Sequence, residues 1–131
     1  MIRSSRDQKL ITQTNMPKEL QEIVLLFGLN NGESHGYELA EFLHQNHFDV
    51  DLATVYRKLQ SMERRGLITS RWEPSVSGPA RRVYSISSQG SVNLRSGFAD
   101  LSILHSQMGD LLNFAKASFK KHARSEALSS S

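Results

Sequence analysis

The chain has 131 residues, 16 basic and 13 acidic side chains for a formal charge of +3, and no cysteine. That size fits one domain with a modest core, and the missing thiols exclude a disulfide framework, a thiolate zinc site and a cysteine nucleophile. No run of 18 or more apolar residues could cross a membrane and Met1–Thr14 is polar rather than a signal core, so a cytoplasmic protein is expected.

Residues 1–15 have no sustained apolar period and read as a mobile arm. Pro17 suits the first turn of a helix, since its missing N–H costs nothing there. Leu20, Ile23, Val24 and Phe27 follow at helical spacing and predict one buried face. Gly28–Glu33 (GLNNGE) has turn chemistry. Ser34 is a good N-cap for a second helix through HGYELAEFLHQN, with Leu39, Phe42 and Leu43 inward, and Asn46 or His47 ends it. Asp51 then caps a third helix. Two short helices joined by a tight link, the second one basic outside, follow the pattern of a helix-turn-helix.

In the third helix Leu52, Val55, Leu59 and Met62 recur at three, four and three and are expected to face the core. The opposite face offers Ala53, Thr54, Arg57, Lys58, Ser61 and Arg64. Gly66 stops the helix as a C′ glycine, with Leu67 and Ile68 tucked beneath it. Ile68–Trp72 alternates like a strand, Glu73–Ala80 (EPSVSGPA) is loop by composition, and Arg81–Ile86 alternates again. The two strands make a hairpin of the size called a wing. Trp72 is read as packing at the wing's base, and Tyr37 and Tyr56 as packing against neighbouring helices with wet hydroxyls.

Ser87 can cap a long final helix. Leu94, Phe98, Leu101, His105, Met108, Leu112, Ala115 and Phe119 hold a heptad spacing, with Ile103, Leu104, Leu111 and Phe114 beside it. A helix of roughly 50 Å with apolar residues on two sides needs a second copy of itself. Residues 122–131 read as a polar, disordered tail.

The charge is unevenly spread. Residues 17–51 carry seven acidic groups and one basic group, whereas residues 52–86 carry seven basic and two acidic. Phosphate attraction acts over a Debye length of roughly 8–10 Å, so this local cluster points to an anionic partner. Thr54, Tyr56, Arg57, Lys58, Ser61 and Arg64 on the third helix, with Arg81 and Arg82 on the wing, are the candidate contacts to double-stranded DNA. A helix fits the major groove, where Arg and Lys can donate to guanine edges or to phosphates. Enzyme constellations are sparse: there is no phosphate loop, no GxSxG elbow and no paired-carboxylate signature. His44 and His47 lie three apart, but no third ligand is placed beside them, so no metal or cofactor is expected.

Three motifs in order carry a family resemblance over residues 20–92. His35-Gly36-Tyr37-Glu38-Leu39 resembles the HGYE signature of PadR-type regulators. Ala53-Thr54-Val55-Tyr56, with Leu59, Met62, Glu63 and Gly66-Leu67-Ile68, is similar to that family's GTVYPxLxxLExxGLV. Gly78-Pro79-Ala80-Arg81-Arg82-Val83-Tyr84 and Gly90 resemble its wing strand and the glycine after it. Arg57 stands where the family usually has proline and Ala53 where it has glycine. The final helix has no tryptophan, so the aromatic-sandwich drug site of some relatives is not carried over.

The resemblance implies a winged helix-turn-helix repressor, homodimeric through its last helix, on a palindromic operator. The expected fold is mainly α with a small two-stranded β-wing: residues 16–87 bind DNA and residues 88–121 dimerise. The dimer contacts are Leu94, Phe98, Leu101, Leu104, His105, Met108, Leu111, Leu112 and Phe119. Two alternatives stay open: a winged-helix protein-interaction module, and a sensor of a small hydrophobic effector held between subunits.

Overall fold

The computed structural model describes residues 18–129, so the expected arm of residues 1–15 and Pro17 lie outside the described residues. The element order is α1 (Lys18–Leu29), β1 (Ser34–His35), α2 (Gly36–Gln45), α3 (Leu52–Arg64), β2 (Ile68–Glu73), β3 (Arg81–Ile86) and α4 (Ser88–Ser129). The chain divides into two compact units between Ser96 and Gly97.

In the first unit, α1–α3 surround a core of leucines. Leu25, Leu26 and Leu29 come from α1, Leu39 and Leu43 from α2, and Val55, Leu59 and Met62 from α3. The buried face of α1 is rotated from the expected one. Ile23 and Val24 are only partly buried and Phe27 is 43% exposed. Residues 23–27 are all apolar, so spacing alone could not fix the phase of this helix.

Ser34 does not cap α2. It belongs to β1, which pairs with β3 through Ser34–Tyr84 and His35–Val83. The N-cap is His35, whose N–H donates to Glu38 Oε1 at 3.1 Å. The wing therefore has three strands, in the order β1-β3-β2, all antiparallel. With β3 in the centre, Val83 and Tyr84 are both buried, and the expected alternation of inside and outside is lost there.

α2 ends in a Schellman turn. Phe48 N–H donates to Leu43 O at 2.9 Å and His47 N–H to His44 O at 3.1 Å. His47 takes the left-handed position, φ 69°, that glycine usually fills. α3 closes the same way with Gly66 at φ 79°: Leu67 N–H donates to Met62 O and Gly66 N–H to Glu63 O, both at 3.0 Å. Leu52, the first residue of α3, is 42% exposed rather than core-facing.

Ser87 caps α4, its Oγ accepting from Gly90 N–H at 3.0 Å and donating to Gly66 O at 2.6 Å. Ser87 N–H also donates to Leu67 O at 3.0 Å. A Cβ on Gly90 would lie 2.0 Å from Leu67 O and 2.9 Å from Ile86 Cγ1, so only glycine lets the helix come this close. Leu94 follows one turn later and is buried in the core of the first unit. It is therefore a core residue here rather than the first rung of a dimer seam.

The second unit is the rest of α4. The helix continues as one element to Ser129, through the stretch read as a disordered tail from residue 122. Its 42 residues run for roughly 60 Å at 1.5 Å each. Phe98, Leu104, Met108, Leu111, Leu112 and Phe119 are exposed, as are Ile103 and Phe114 beside them. His105 is exposed and Leu101 half-buried. No described helix is long and apolar enough to cross a membrane.

Gly90→Ala should lower the unfolding free energy by about 2 kcal/mol, the usual scale of overpacking against atoms that cannot yield. Urea unfolding measures it; a midpoint equal to the parent's would contradict the close approach to Leu67.

Candidate nucleic-acid interface

α3 begins at Asp51, whose Oδ1 accepts from Thr54 N–H at 2.7 Å. The hydrogen bonds from Thr54 hold the Asp51 carboxyl below the usual aspartate range. From there the helix presents three strips to its surroundings. Opposite the buried Val55, Leu59 and Met62 runs an exposed ridge of Ala53, Arg57, Gln60 and Arg64, spaced four, three and four. This is the part of the helix that a groove would meet first.

The other predicted contacts flank this ridge. Thr54, Lys58 and Ser61 are half-buried on the side toward α1. Burial pushes the Lys58 ammonium below the usual lysine range, against the opposing pull of Glu22. Arg65 binds Glu22 through both ends of its guanidinium, tying α3 to α1. Thr54 Oγ1 accepts from Arg57 Nη2 at 3.0 Å, which steadies the Arg57 guanidinium over the first turn.

The other flank faces α2 and the wing. Tyr56, 39% exposed, lies over Gly36. A Cβ on Gly36 would stand 2.4 Å from Tyr56 Cε1, so the missing side chain is the seat of the ring. Two turns further on, Glu63 reaches the wing. Ser70 Oγ lies 2.9 and 2.8 Å from its two carboxylate oxygens and donates to them. Ser70 Oγ accepts in turn from Arg82 Nε at 3.0 Å. The Arg82 guanidinium sits 5.3 Å from the centre of the Trp72 ring. Trp72 is not packed into the wing's base as expected. It is 63% exposed and serves as the plate on which Arg82 rests.

These contacts sort the cations. Arg65 is held by Glu22, Arg71 by Glu33 at 2.5 Å and Glu73 at 3.7 Å, and Arg82 by Ser70, Trp72 and, at 3.9 Å, Glu63. Among the described residues Arg57, Arg64 and Arg81 enter no ion pair. Arg81 is exposed at the start of β3, across the ladder from Glu73.

A cleft of about 700 Å³ lies between the start of α2, α3 and the wing. Tyr37, Tyr56, Trp72 and Tyr84 supply aromatic walls, Arg81 and Arg82 the cationic one. Burial pushes the Tyr84 phenol up. Glu38 faces this cleft with its carboxyl held below the usual range, chiefly by its hydrogen bond with His35 Nδ1 at 2.5 Å. Among the described residues no three His, Asp or Glu side chains are gathered as metal ligands.

The candidate contacts expected from the sequence all lie on α3 and the wing, and they do not include Gln60, which shares the exposed ridge with Arg57 and Arg64. The expected outer face took in the neutral Thr54 and Ser61, which are half-buried, and passed over Gln60, which is exposed. Only the phase of the buried stripe, read through residue 60, would have found it.

The family model described as Transcriptional regulator PadR-like family matches residues 25–96. A PadR-like transcriptional regulator from Bacillus cereus has 27% identity and a TM-score of 0.66, covering 72% of this chain and 93% of that one. A PadR family transcription regulator from Clostridium difficile has 24% identity and a TM-score of 0.65, covering 70% of this chain and 97% of that one. The PadR of Bacillus subtilis, solved in complex with operator DNA, shares the fold at 19% identity and a TM-score of 0.56, covering 61% of this chain and 47% of that one. No curated protein matches the chain.

Because its folded pKa is lowered, the Asp51 cap adds stability above the ordinary carboxylate value, about 3.9, and loses it as pH falls through the lowered one. Asparagine caps about as well without the charge. Asp51→Asn should therefore keep the neutral-pH melting temperature and soften its decline on acidification. Melting curves from neutral to acid pH check this; an equally steep decline would refute it.

Proposed function

The chain belongs to the PadR-like family of transcriptional regulators, and we propose that it represses transcription by binding a palindromic operator as a homodimer. The observation that carries the proposal is the sorting of cations. The arginines on the sides of α3 and the wing are engaged by carboxylates of the same chain. Those on the outward ridge and at the wing strand, Arg57, Arg64 and Arg81, are left for an outside anion. A random wet surface would pair them without regard to position.

The ridge of α3 has the width to enter a major groove, and Arg81 at the wing reaches the neighbouring backbone. The operator complex of the Bacillus subtilis PadR, which shares this fold, supports that reading. The second unit supports the dimer: a single helix exposing Leu104, Met108, Leu111, Leu112 and Phe119 is unstable as an isolated apolar surface in water. Pairing two such helices buries the seam, and a palindromic operator calls for two recognition helices about one DNA turn apart, roughly 34 Å.

Fluorescence anisotropy on duplexes from the region upstream of its own gene tests DNA binding, with scrambled duplex as competitor. Removing one phosphate-binding cation lowers the slope of log affinity against log salt by roughly 0.9, so Arg57→Ala or Arg81→Ala should lower it by about two per dimer. Arg71→Ala, which removes an ion-paired cation, should leave the slope unchanged. Equal slopes for all three would sink the assignment, and a scrambled competitor as strong as the specific one would favour a generic acidic partner.

Leu112→Lys should give a folded monomer in sedimentation experiments, with much weaker operator binding. An intact dimer would show that the subunits associate elsewhere.

A further inference from the structure

We propose that Gln60 is the base-reading residue of this surface and that it selects adenine. The inference rests on the operator-binding reading and names the specificity determinant of that same site.

Gln60 lies in the middle of the exposed ridge, three residues after Arg57 and four before Arg64. Its side-chain amide makes no hydrogen bond among the described residues. The carboxylate nearest in sequence, Glu63, is turned to Ser70 on the wing side and does not compete for it. Ala53, seven residues earlier on the same ridge, has only a methyl group. Nothing there holds the helix off the groove floor.

The chemistry of the side chain decides its target. A neutral amide gains little from the field of a phosphate, which Arg57 and Arg64 on either side satisfy better. It does carry one acceptor and a pair of donors on a flat frame. In the major groove adenine offers N7 as acceptor and N6–H as donor, and the two patterns interlock in a bidentate pair. Guanine offers two acceptors, N7 and O6, so the amide oxygen would face an oxygen without a proton between them. The two flanking cations fix the register on the backbone, and the neutral residue between them reads the base.

Selection of duplexes from a randomised pool by the full-length protein tests this, run in parallel with Gln60→Ala and Gln60→Glu. Gln60 is exposed, so neither variant should alter the melting curve. The parent should enrich sites with adenine at one symmetric pair of positions, preferred over guanine by roughly 5- to 150-fold. Gln60→Ala should flatten the preference at that pair and keep the rest of the site. Gln60→Glu should move it toward cytosine, whose N4–H donates to a carboxylate. An enriched site with the same base profile in all three proteins overturns the assignment of Gln60 alone. If the parent enriches no site, the operator-binding reading falls and this inference with it.

Discussion

The end of the third helix and the start of the long helix are joined at one point. Ser87 closes that junction with three hydrogen bonds: to Leu67 O from its backbone, to Gly66 O from its hydroxyl, and from Gly90 N–H back to that hydroxyl. Gly66 must take a positive φ to end α3 there, and Gly90 must lack a side chain for α4 to approach Leu67. Leu94 then seals the junction in the core. Four elements meet here: α3 ends, β2 starts, β3 ends and α4 begins. Each of the two glycines serves a geometric need that no other residue meets cheaply, one through its dihedral angle and the other through its missing Cβ.

The polar contacts around α3 do a second job. Exposed ion pairs contribute only about 0–1 kcal/mol each, so Arg65–Glu22 and Arg71–Glu33 are poor candidates for holding the fold together. Their stronger effect is on the surface potential. They engage Arg65 and Arg71 and leave Arg57, Arg64 and Arg81 outside any ion pair among the described residues. The Glu63–Ser70–Arg82 chain differs from them, because it crosses from helix to sheet. It sets the angle between the recognition helix and the wing, and Arg82 stacked on Trp72 stiffens the wing strand at the same point.

Local chemistry was legible in the sequence wherever a single residue decides a backbone event. Asp51 as a cap, Gly66 as a stop, Ser87 as a second cap and both long wing strands stand where their residue types placed them. What could not be read was the choice between two adequate options. Ser34 is a good cap, yet pairing with Tyr84 in the sheet took it, and His35 caps instead. The apolar run of residues 23–27 fits several helical phases. Leu94 satisfies a heptad and a domain core equally well, and the core claims it. Periodicity records that a side chain is buried and does not record by what.

The same limit explains the interface. Counting charges on α3 picks out Arg57, Lys58 and Arg64 alike, although Lys58 turns toward α1 and is partly desolvated. Phase separates them: the ridge holds two unpaired arginines with a neutral amide between. In the proposed operator complex, affinity and specificity would be carried by different side chains. The arginines would bind through displaced counterions, a contribution that added salt removes whatever the sequence. The amide would exchange hydrogen bonds with a base edge and release no ions, so its discrimination would survive at salt concentrations that erode the arginines' share. A helix built this way can loosen its grip on all DNA without losing its preference for one site.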